Sequence, residues 1–392
     1  MAGKKFRQRK TDVIQDGIVY RLYEGEYSVY TYTEGLPEKV VIADRIQDIP
    51  VTILATKCFY RSQLQEAVLP GTIKMIGSES FGGCKNLEKL SIPDSVTHVW
   101  CDAFERCKKL NHTLHSHGQY LGNPENPYLI LHKNAAIEEP VAGEQIVVEV
   151  HPETKHILSG AFNRFFDEVV PFADIDQLIL HNKLISIGSG AFSLSFSFGF
   201  DVKKIGLVSV DSLETLCRAG SNIPGLAKRL IVEGQEIGDT LTIPATITEI
   251  AANSFNGCNW LRKLRFEGNI DAIKMQAFRG CKNLVEVQFP PKVGTVDMWA
   301  FLDCPSLRKV EFFEVWKIDS SAFELERMVF PSLSEEPKTK GLQEITFHNR
   351  VGVLGNRAFS NNAGLETVTG MEKVENIEGD PFVGTPLENK LI

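Results

Sequence analysis

Cysteine and histidine are the residues of this chain whose types and spacing could support chemistry at a metal ion or a disulfide. The chain has 8 cysteines and 9 histidines in 392 residues. Structural zinc sites commonly draw their four ligands from C-x-x-C pairs and nearby histidines. No C-x-x-C pair is present, and five cysteines recur singly at long intervals: Cys84, Cys107, Cys258, Cys281 and Cys304. One ligand from each distant segment cannot surround a tetrahedral ion, so this spacing argues against zinc.

A histidine cluster at His112, His115 and His117 is the second candidate for metal binding. Strand alternation would place His115 and His117 on one face, as a metal site requires. The alternative is an irregular polar segment, because the regular pattern of the chain breaks off at this point. We favour the polar segment and keep a metal-dependent activity as the rival hypothesis.

Catalytic signatures are absent from the sequence. It contains no G-x-S-x-G, no H-E-x-x-H, no P-loop and no G-x-G-x-x-G after a strand-like run. The acidic residues are scattered, without a pair whose spacing indicates acid and base catalysis. The sequence therefore predicts a protein that is not an enzyme and needs no cofactor.

Charge and hydropathy narrow the partners and the compartment. The net charge of -8 and the pI near 5.7 disfavour nucleic acid, whose binders cluster Lys and Arg on a basic domain. The basic start MAGKKFRQRK is not followed by a continuous apolar segment, so no signal peptide is predicted. No run of about 18 apolar residues predicts a membrane span. By sequence alone the chain is expected to be cytoplasmic.

An internal repeat of about 23 residues dominates the chain. Eleven phenylalanines mark it, each preceded by an aliphatic residue five positions earlier and, in most cases, followed by a leucine six positions later. Such a period indicates a stacked repeat architecture. The marker phenylalanines are Phe59, Phe81, Phe104, Phe162, Phe192, Phe255, Phe278, Phe301, Phe323, Phe359 and Phe382.

Each repeat contains one strand-like phrase of the form L-x-x-L-x-I. In LEKLSIP, alternation directs Leu90 and Ile92 inward and Lys89 and Ser91 outward. One coil cannot bury its own apolar face, so neighbouring coils must stack at about 4.8 Å and form a parallel sheet along one side. The repeat predicts a mainly β solenoid with short irregular turns.

The recurring cysteines fit this template as a packing column. Each lies three residues after its marker phenylalanine. A disulfide ladder is disfavoured, because stacked side chains point in parallel and keep their Cβ atoms near the coil spacing rather than the ~3.8 Å of a bridge. We therefore predict free, buried thiols at this position.

The phrase I-x-x-x-A-F-x-x-C-x-x-L-x-x-V-x-I-P, read in SIPDSVTHVWCDAFERCKKL and EIAANSFNGCNWLRKLRF, resembles the BspA-like leucine-rich repeats of bacterial surface proteins and some protozoan proteins. The resemblance runs from about residue 13 to the end of the chain. It implies a leucine-rich repeat arc with one or two helical inserts, including a strand-helix-strand variant at 207–244. It also implies a recognition scaffold for host or matrix proteins, at the cell surface or secreted.

The boundaries follow from where the repeat is regular. We expect a basic disordered tail at 1–12, an N-terminal cap hairpin at 13–50 and one continuous solenoid at 51–392. Inserts are expected at 118–150, 193–244 and 331–340. The five tyrosines of the hairpin either cap the open end of the core or contact a partner, and we favour the cap.

Candidate protein-binding residues are the outward positions of the strand phrase and a few aromatic residues. Ordinary solvated sheet is the alternative for the outward positions, and packing over the adjoining insert is the alternative for SLSFSFGFD at 193–201. The candidates are Lys89, Ser91, Lys263, Arg265, Glu286, Gln288, Lys309, Glu311, Glu344, Thr346, Phe196, Phe198 and Trp299.

The predicted function is a non-enzymatic protein-binding scaffold with a protein partner that the sequence does not identify. A structural or self-associating repeat protein and an intracellular interaction module are the alternatives. Lys390 stands where the last strand phrase expects an aliphatic residue, and an inward charge at a sheet edge blocks association. We therefore expect a monomer.

Overall fold

The computed structural model describes residues 7–100, 102–115, 118–121, 130–134, 145, 147–158, 161, 175–188, 191, 205–325, 340–388 and 390. Nearly all of its regular structure is short β-strand. The strands before residue 200 are β1 (Val13–Gln15), β2 (Ile18–Tyr23), β3 (Glu26–Tyr32), β4 (Lys39–Val41), β5 (Arg45–Ile46), β6 (Ile49–Leu54), β7 (Glu66–Val68), β8 (Met75–Ile76), β9 (Lys89–Ser91), β10 (His98–Val99), β11 (Asn111–His115), β12 (Gly118–Leu121), β13 (Ile130–Asn134), β14 (Val147–Glu149), β15 (His156–Ile157), β16 (Gln177–Leu180) and β17 (Ser186–Ile187).

Among the later strands, those from β21 onward repeat in pairs, one pair for each coil. The later strands are β18 (Ile205–Val210), β19 (Ala227–Val232), β20 (Gln235–Ile237), β21 (Thr240–Ile243), β22 (Glu249–Ile250), β23 (Lys263–Phe266), β24 (Ile270–Ile273), β25 (Glu286–Gln288), β26 (Lys292–Val296), β27 (Lys309–Phe312), β28 (Glu314–Ile318), β29 (Glu344–Phe347), β30 (Val351–Leu354), β31 (Thr367–Thr369) and β32 (Val374–Ile377). Two α-helices are present in the described part of the chain, α1 (Leu213–Ala219) and α2 (Ile223–Leu226), with 3-10 turns at Lys108–Leu110 and Met371–Lys373.

The chain divides into two compact units, which are described separately. Unit 1 comprises 1–144, 148–173 and 183–202, and unit 2 comprises 145–147, 174–182 and 203–392. In unit 2 every regular coil supplies two strands. The first strands form the parallel sheets β21-β23-β25 and β27-β29-β31, and the second strands form the parallel sheet β22-β24-β26-β28-β30-β32.

The predicted solenoid fold is therefore confirmed, with an addition. The sequence predicted one parallel sheet, formed by the L-x-x-L-x-I phrase. The second sheet ends at the aliphatic residue five positions before each marker phenylalanine, for example Ile273, Val296 and Ile318. Phrases such as KVGTV and EVWKI carry the β-branched residues that favour strands, so this sheet had a readable signal.

The marker phenylalanines form a continuous inner column in unit 2. Phe255, Phe278, Phe301 and Phe323 are stacked with ring centroids 5.3, 5.2 and 4.9 Å apart. All are buried. Their backbones are also paired, because Phe278 N–H donates to the Ala300 carbonyl at 2.8 Å. Each coil therefore presents the same apolar surface to the next one.

Tight turns hold each marker phenylalanine in place. Around most of the described marker phenylalanines, the residues two positions before and two positions after have positive φ, a region that non-glycine residues seldom occupy. Around Phe278 these are Gln276 at 60° and Gly280 at 69°. Around Phe301 they are Trp299 at 63° and Asp303 at 57°. The repeat thus places a turn on each side of the buried ring.

Unit 1 begins with antiparallel strands and continues as parallel coils. β1, β2 and β3 pair antiparallel, and β3 joins the parallel series β6, β8 and β10. Tyr20 and Tyr27 are buried in the core beside this junction, which fits the capping interpretation, whereas Tyr23 is exposed. Phe59, Phe81 and Phe104 form the stacked column of this unit, 5.4 and 5.5 Å apart.

The N-terminal tail requires a correction at its end. The sequence placed Asp12 in a solvated basic tail, whereas its carboxylate is buried and accepts two hydrogen bonds from Arg21, at 2.9 and 2.8 Å. Arg21 also lies 3.4 Å from the centroid of the Tyr30 ring. The residue just before β1 is therefore a buried carboxylate paired with Arg21, and Asp12 does not belong to a free tail.

The predicted strand-helix-strand order at 207–244 appears as β18, α1 and β19. Ser212 caps α1 by accepting a hydrogen bond from Glu214 N–H, and Gly220 ends it with φ 66°. β18 and β19 pair in parallel, as a crossover through a helix requires. The insert expected at 331–340 lies outside the described residues except for Lys340.

Candidate protein-binding surface

The outward residues of the first strands of unit 2 lie in register across successive coils. Lys263 is opposite Glu286, and Arg265 is opposite Gln288. Lys309 is opposite Glu344, and Glu311 is opposite Thr346. We call this surface the strand face. It contains eight of the sequence-predicted candidates: Lys263, Arg265, Glu286, Gln288, Lys309, Glu311, Glu344 and Thr346.

Charged side chains of opposite sign pair along the strand face. Lys309 lies 2.7 Å from Glu311 and 2.9 Å from Glu344, and Lys263 lies 3.9 Å from Glu286. The hydrogen bonds that Lys309 donates to Glu311 and then to Glu344 raise the pKa of Lys309, and the bond to Glu311 lowers the pKa of Glu311. Since these groups are exposed, the ion pairs contribute little to the free energy of unfolding. Their main effect is to orient the side chains of the strand face.

A cleft interrupts the strand face between two coils. β25 and β27 are neighbours in the coil order but belong to separate hydrogen-bonded sheets. A cleft of about 330 Å³ lies here, and its lining includes Glu286, Gln288, Lys309 and Glu311. Four candidates from different coils therefore converge on one concave surface.

Phe313 is a member of this cleft that the sequence analysis missed. It is 43% exposed and stacks on His348 with ring centroids 4.7 Å apart. In the sequence it follows Phe312, which is buried, so strand alternation was the available signal. An exposed aromatic ring beside paired charges is a common composition for a protein contact.

Lys89 and Ser91 belong to unit 1. They are exposed on β9, which pairs in parallel with β7. Lys89 is opposite Glu66, whose carboxylate is paired with Lys39 at 2.7 Å. These two candidates thus occupy an outward row of the same kind, on a separate three-stranded sheet.

The remaining candidates are not part of the strand face. Trp299 is half-buried in the turn before Phe301, with φ 63°, which indicates a role in the turn. Phe196 and Phe198 lie outside the described residues, as does His117. His112 and His115 are on β11. No cluster of metal-ligating side chains was found among the residues that the structure describes.

The recurring cysteines pack and donate hydrogen bonds, which confirms their prediction as a buried column. Cys281 Sγ–H donates to the Phe255 carbonyl and Cys304 Sγ–H to the Phe278 carbonyl, both at 3.3 Å. Each thiol therefore satisfies the carbonyl of the marker phenylalanine in the preceding coil. Burial raises the pKa of the Cys304 thiol well above its usual value, which keeps it protonated.

In two later coils this position is occupied by other hydrogen-bond donors. Asn362, at the same station, donates through Nδ2 to the carbonyls of Phe323 and Phe359, both at 2.9 Å. Thr385, in the last coil, donates through Oγ1 to the Phe382 carbonyl at 2.8 Å. Asn362, like the cysteines, thus bonds the phenylalanine carbonyl of the preceding coil, whereas Thr385 bonds the carbonyl of its own coil.

Two further expectations concern the C-terminal coil and membranes. Lys390 is exposed, and its Nζ donates to the Pro386 carbonyl at 2.6 Å, so the inward charge expected at this edge is not found. In the part of the chain that the structure describes, no helix is long and apolar enough to span a membrane.

Stacked two-strand coils with a phenylalanine column and a donor column define a leucine-rich repeat solenoid. The family model for the BspA type leucine rich repeat region matches six copies, at residues 52–123, 236–332 and 337–392. Because these matches cover more than half of the chain, the chain belongs to this family. Repeats of this kind generally mediate protein interactions, and the family suggests a protein-interaction scaffold.

Solved structures of bacterial leucine-rich repeat proteins also resemble the chain. A leucine-rich cell surface protein from Faecalibacterium prausnitzii is 16% identical, covering 93% of this chain and 96% of that one, with a TM-score of 0.32. A leucine-rich repeat protein from Eubacterium ventriosum is 14% identical over 83% and 97%, with a TM-score of 0.33. The pneumococcal vaccine antigen PcpA is 14% identical over 94% and 98%, with a TM-score of 0.30. No curated protein matches the chain.

Proposed function

We propose that the chain is a non-enzymatic recognition module that binds a host or matrix protein through the strand face of unit 2. The observation that carries the proposal is the cleft between β25 and β27, where Glu286, Gln288, Lys309 and Glu311 meet the exposed ring of Phe313. Its rim is charged and its aromatic residue is accessible, as in the contact regions of protein interfaces.

The charge pattern indicates what kind of partner surface would fit. Lys309 is already paired with two carboxylates of the same face. The partner therefore meets a mixed surface of both signs rather than a field of one sign, and orientation comes from matching individual pairs. Phe313 supplies the apolar anchor, because a desolvated aromatic ring contributes most of the energy in many interfaces.

Direct binding to purified extracellular matrix proteins tests the proposal. We expect at least one protein of a biolayer interferometry panel to bind the full chain, and Phe313→Ala to weaken that binding about tenfold or more. Lys282→Ala is the control, since Lys282 is exposed in a turn and is not part of the cleft lining. Binding that survives Phe313→Ala and Gln288→Arg together would exclude the strand face as the contact surface.

The location of the native protein tests the host or matrix part of the proposal separately. We expect an antibody against the chain to detect it at the cell surface or in the culture medium after fractionation. A strictly cytosolic signal would contradict host recognition and direct the search towards intracellular partners of the same strand face.

A further inference from the structure

The second sheet of unit 2 carries an exposed tryptophan between two glycines. The register of β24, β26, β28, β30 and β32 places five residues in one row across the strands. In strand order the row reads Asp271, Gly294, Trp316, Gly352 and Glu375. Trp316 is the only aromatic residue of this row, and the glycines on either side of it have no side chains. Its side chain is 56% exposed.

Backbone contacts require glycine at both flanking positions. A Cβ atom at Gly294 would lie 2.0 Å from the Asp271 carbonyl oxygen, and one at Gly352 would lie 2.4 Å from the Trp316 carbonyl oxygen. Both distances are far below van der Waals contact. The space on either side of the indole therefore follows from the close approach of neighbouring strands.

On the β30 side, the indole ring itself covers Gly352, and an arginine packs on the ring. The indole lies beside Gly352, and the Arg350 guanidinium is 5.0 Å from the ring centroid. Arg350 is itself held by two hydrogen bonds to Glu375, at 2.7 and 2.8 Å. The arginine is fixed against the ring, so it supports the position of the indole.

On the β26 side the space remains open as a groove. The groove has a volume of about 250 Å³, and Gly294 and Trp316 are part of its lining. Pockets for drug-sized ligands measure roughly 300–1,000 Å³, so this groove suits a single ring-sized unit. Its polar lining residues are Asn269, Asp271, Lys292, Glu314 and Arg350.

The polar lining selects among ligand chemistries. Asp271 and Glu314 disfavour an anion, whereas Lys292 and Arg350 disfavour a cation. A purely apolar ligand would cover Asp271 and the Lys292–Glu314 ion pair, whose charged atoms are 3.8 Å apart, without offering them hydrogen bonds in place of water. A neutral polyol ring satisfies both requirements, since its hydroxyl groups donate to carboxylates and accept from amines while its C–H face packs on the indole.

We propose that the groove beside Trp316 is a carbohydrate-binding subsite that takes one neutral pyranose unit of a glycan. The sugar ring packs against the exposed indole above Gly294. Asp271 and Glu314 accept hydrogen bonds from its hydroxyl groups, and Lys292 and Arg350 donate to them. This site is on the second sheet, so it is separate from the strand face proposed for protein binding.

Titration of the full chain with cellohexaose, maltohexaose and N-acetylchitohexaose tests the proposal, with a heparin oligosaccharide as the anionic comparison. We expect at least one neutral oligosaccharide to bind with a dissociation constant below about 10 mM by saturation-transfer NMR and calorimetry. Trp316→Ala is expected to weaken that binding about tenfold or more, and Asp271→Asn to weaken it as well.

Trp100→Ala is the matched control. Trp100 is 54% exposed, nearly the same as Trp316, but lies directly after β10 in unit 1. We expect Trp100→Ala and Phe313→Ala to leave oligosaccharide binding unchanged. Thermal melts verify that each variant is folded, and Asp271→Asn and Trp316→Phe decide the question if Trp316→Ala does not fold.

Three outcomes would overturn the proposal. They are binding by none of the three neutral oligosaccharides, binding by the heparin fragment alone, and binding that is equally weakened by Trp100→Ala. A failure here leaves the strand face untouched, because Phe313→Ala and Trp316→Ala separate the two surfaces.

Discussion

The inner column and the strand face of unit 2 are built from the same coils but follow different rules. The marker residue is phenylalanine in each of three successive coils, at Phe255, Phe278 and Phe301. The first outward residue of the strand that follows differs in charge, as Lys263, Glu286 and Lys309 show. Inside, each ring packs on an identical ring about 5 Å away, so every coil must supply the same shape. Outside, water solvates either sign of charge, and the residue is free to vary.

Phe278→Ala should have the largest effect of the changes that test this comparison. The variant removes a buried ring that stacks on both neighbours, at 5.3 and 5.2 Å. Large-to-small changes of this kind cost about 3–5 kcal/mol, since the cavity collapses only partly. Urea denaturation followed by circular dichroism measures the loss.

Phe313→Ala is the outward control for that change. Phe313 is 43% exposed, and its removal should shift the urea midpoint only slightly. Equal losses for the inner and outer phenylalanines would show that the column is not the main source of stability.

Arg21→Met tests how much a buried ion pair contributes to the free energy of unfolding, compared with the exposed pairs of the strand face. Arg21 and Asp12 form a buried pair whose side chains are 10% and 0% exposed. Removing one partner leaves an uncompensated carboxylate, which we expect to cost about 3–5 kcal/mol at pH 7. Differential scanning calorimetry at pH 7 measures the change.

The pH dependence of this variant identifies the cause. The hydrogen bond from Arg21 lowers the pKa of Asp12 in the folded state. The stabilisation is therefore present above the unfolded pKa of about 3.9 and is lost as the pH falls further. The difference between the wild type and Arg21→Met should shrink below about pH 4, and a pH-independent difference would assign the loss to packing.

Cys281→Ala should have an intermediate effect. The thiol donates to the Phe255 carbonyl at 3.3 Å inside the core, and alanine leaves that oxygen without this donor. The Phe255 carbonyl keeps its hydrogen bond from Cys258 N–H at 3.3 Å, so the variant loses one of two bonds, and we expect a loss of about 0.5–1.5 kcal/mol in the free energy of unfolding. Cys281→Val separates the terms, because valine fills space without donating; full recovery by valine would mean that volume alone matters.

Lys309→Ala should have the smallest effect on stability. Lys309 pairs with Glu311 and Glu344 on the exposed strand face, where water and salt weaken ion pairs. We expect no measurable shift in the urea midpoint, together with weaker binding to the protein partner. A clear loss of stability would show that the strand face has a structural role and would sharpen the boundary between the two regions.

Local patterns predicted most of the fold because each coil repeats the same spacing of core residues. The marker phenylalanines, the aliphatic residues before them and the recurring cysteines were assigned to the core from spacing alone, and all of those described are buried except Val99 and Ile377. The second sheet was overlooked because its shortest strands, such as β22, carry little alternation, although the β-branched residues of β26 and β28 did favour strands. Asp12 was misplaced because its partner Arg21 becomes apparent only after β1 and β2 pair.

The candidate site was predicted less completely. Alternation identified the outward residues of the strand face, but the stacking of Phe313 on His348 joins positions 35 residues apart, well beyond the period of about 23. The same insertion between coils places Lys309 opposite Glu344. The cleft itself depends on β25 and β27 belonging to separate sheets, which no single phrase encodes.

The sequence by itself determined the repeat period, the inner columns and the class of solenoid. Every coil buries the same residue types against the next coil, so their spacing can be read within each repeat. Only the tertiary structure decided which outward side chains meet. Contacts such as Trp316 between Gly294 and Gly352 arise from register across strands, and register is a property of stacked coils rather than of any one of them.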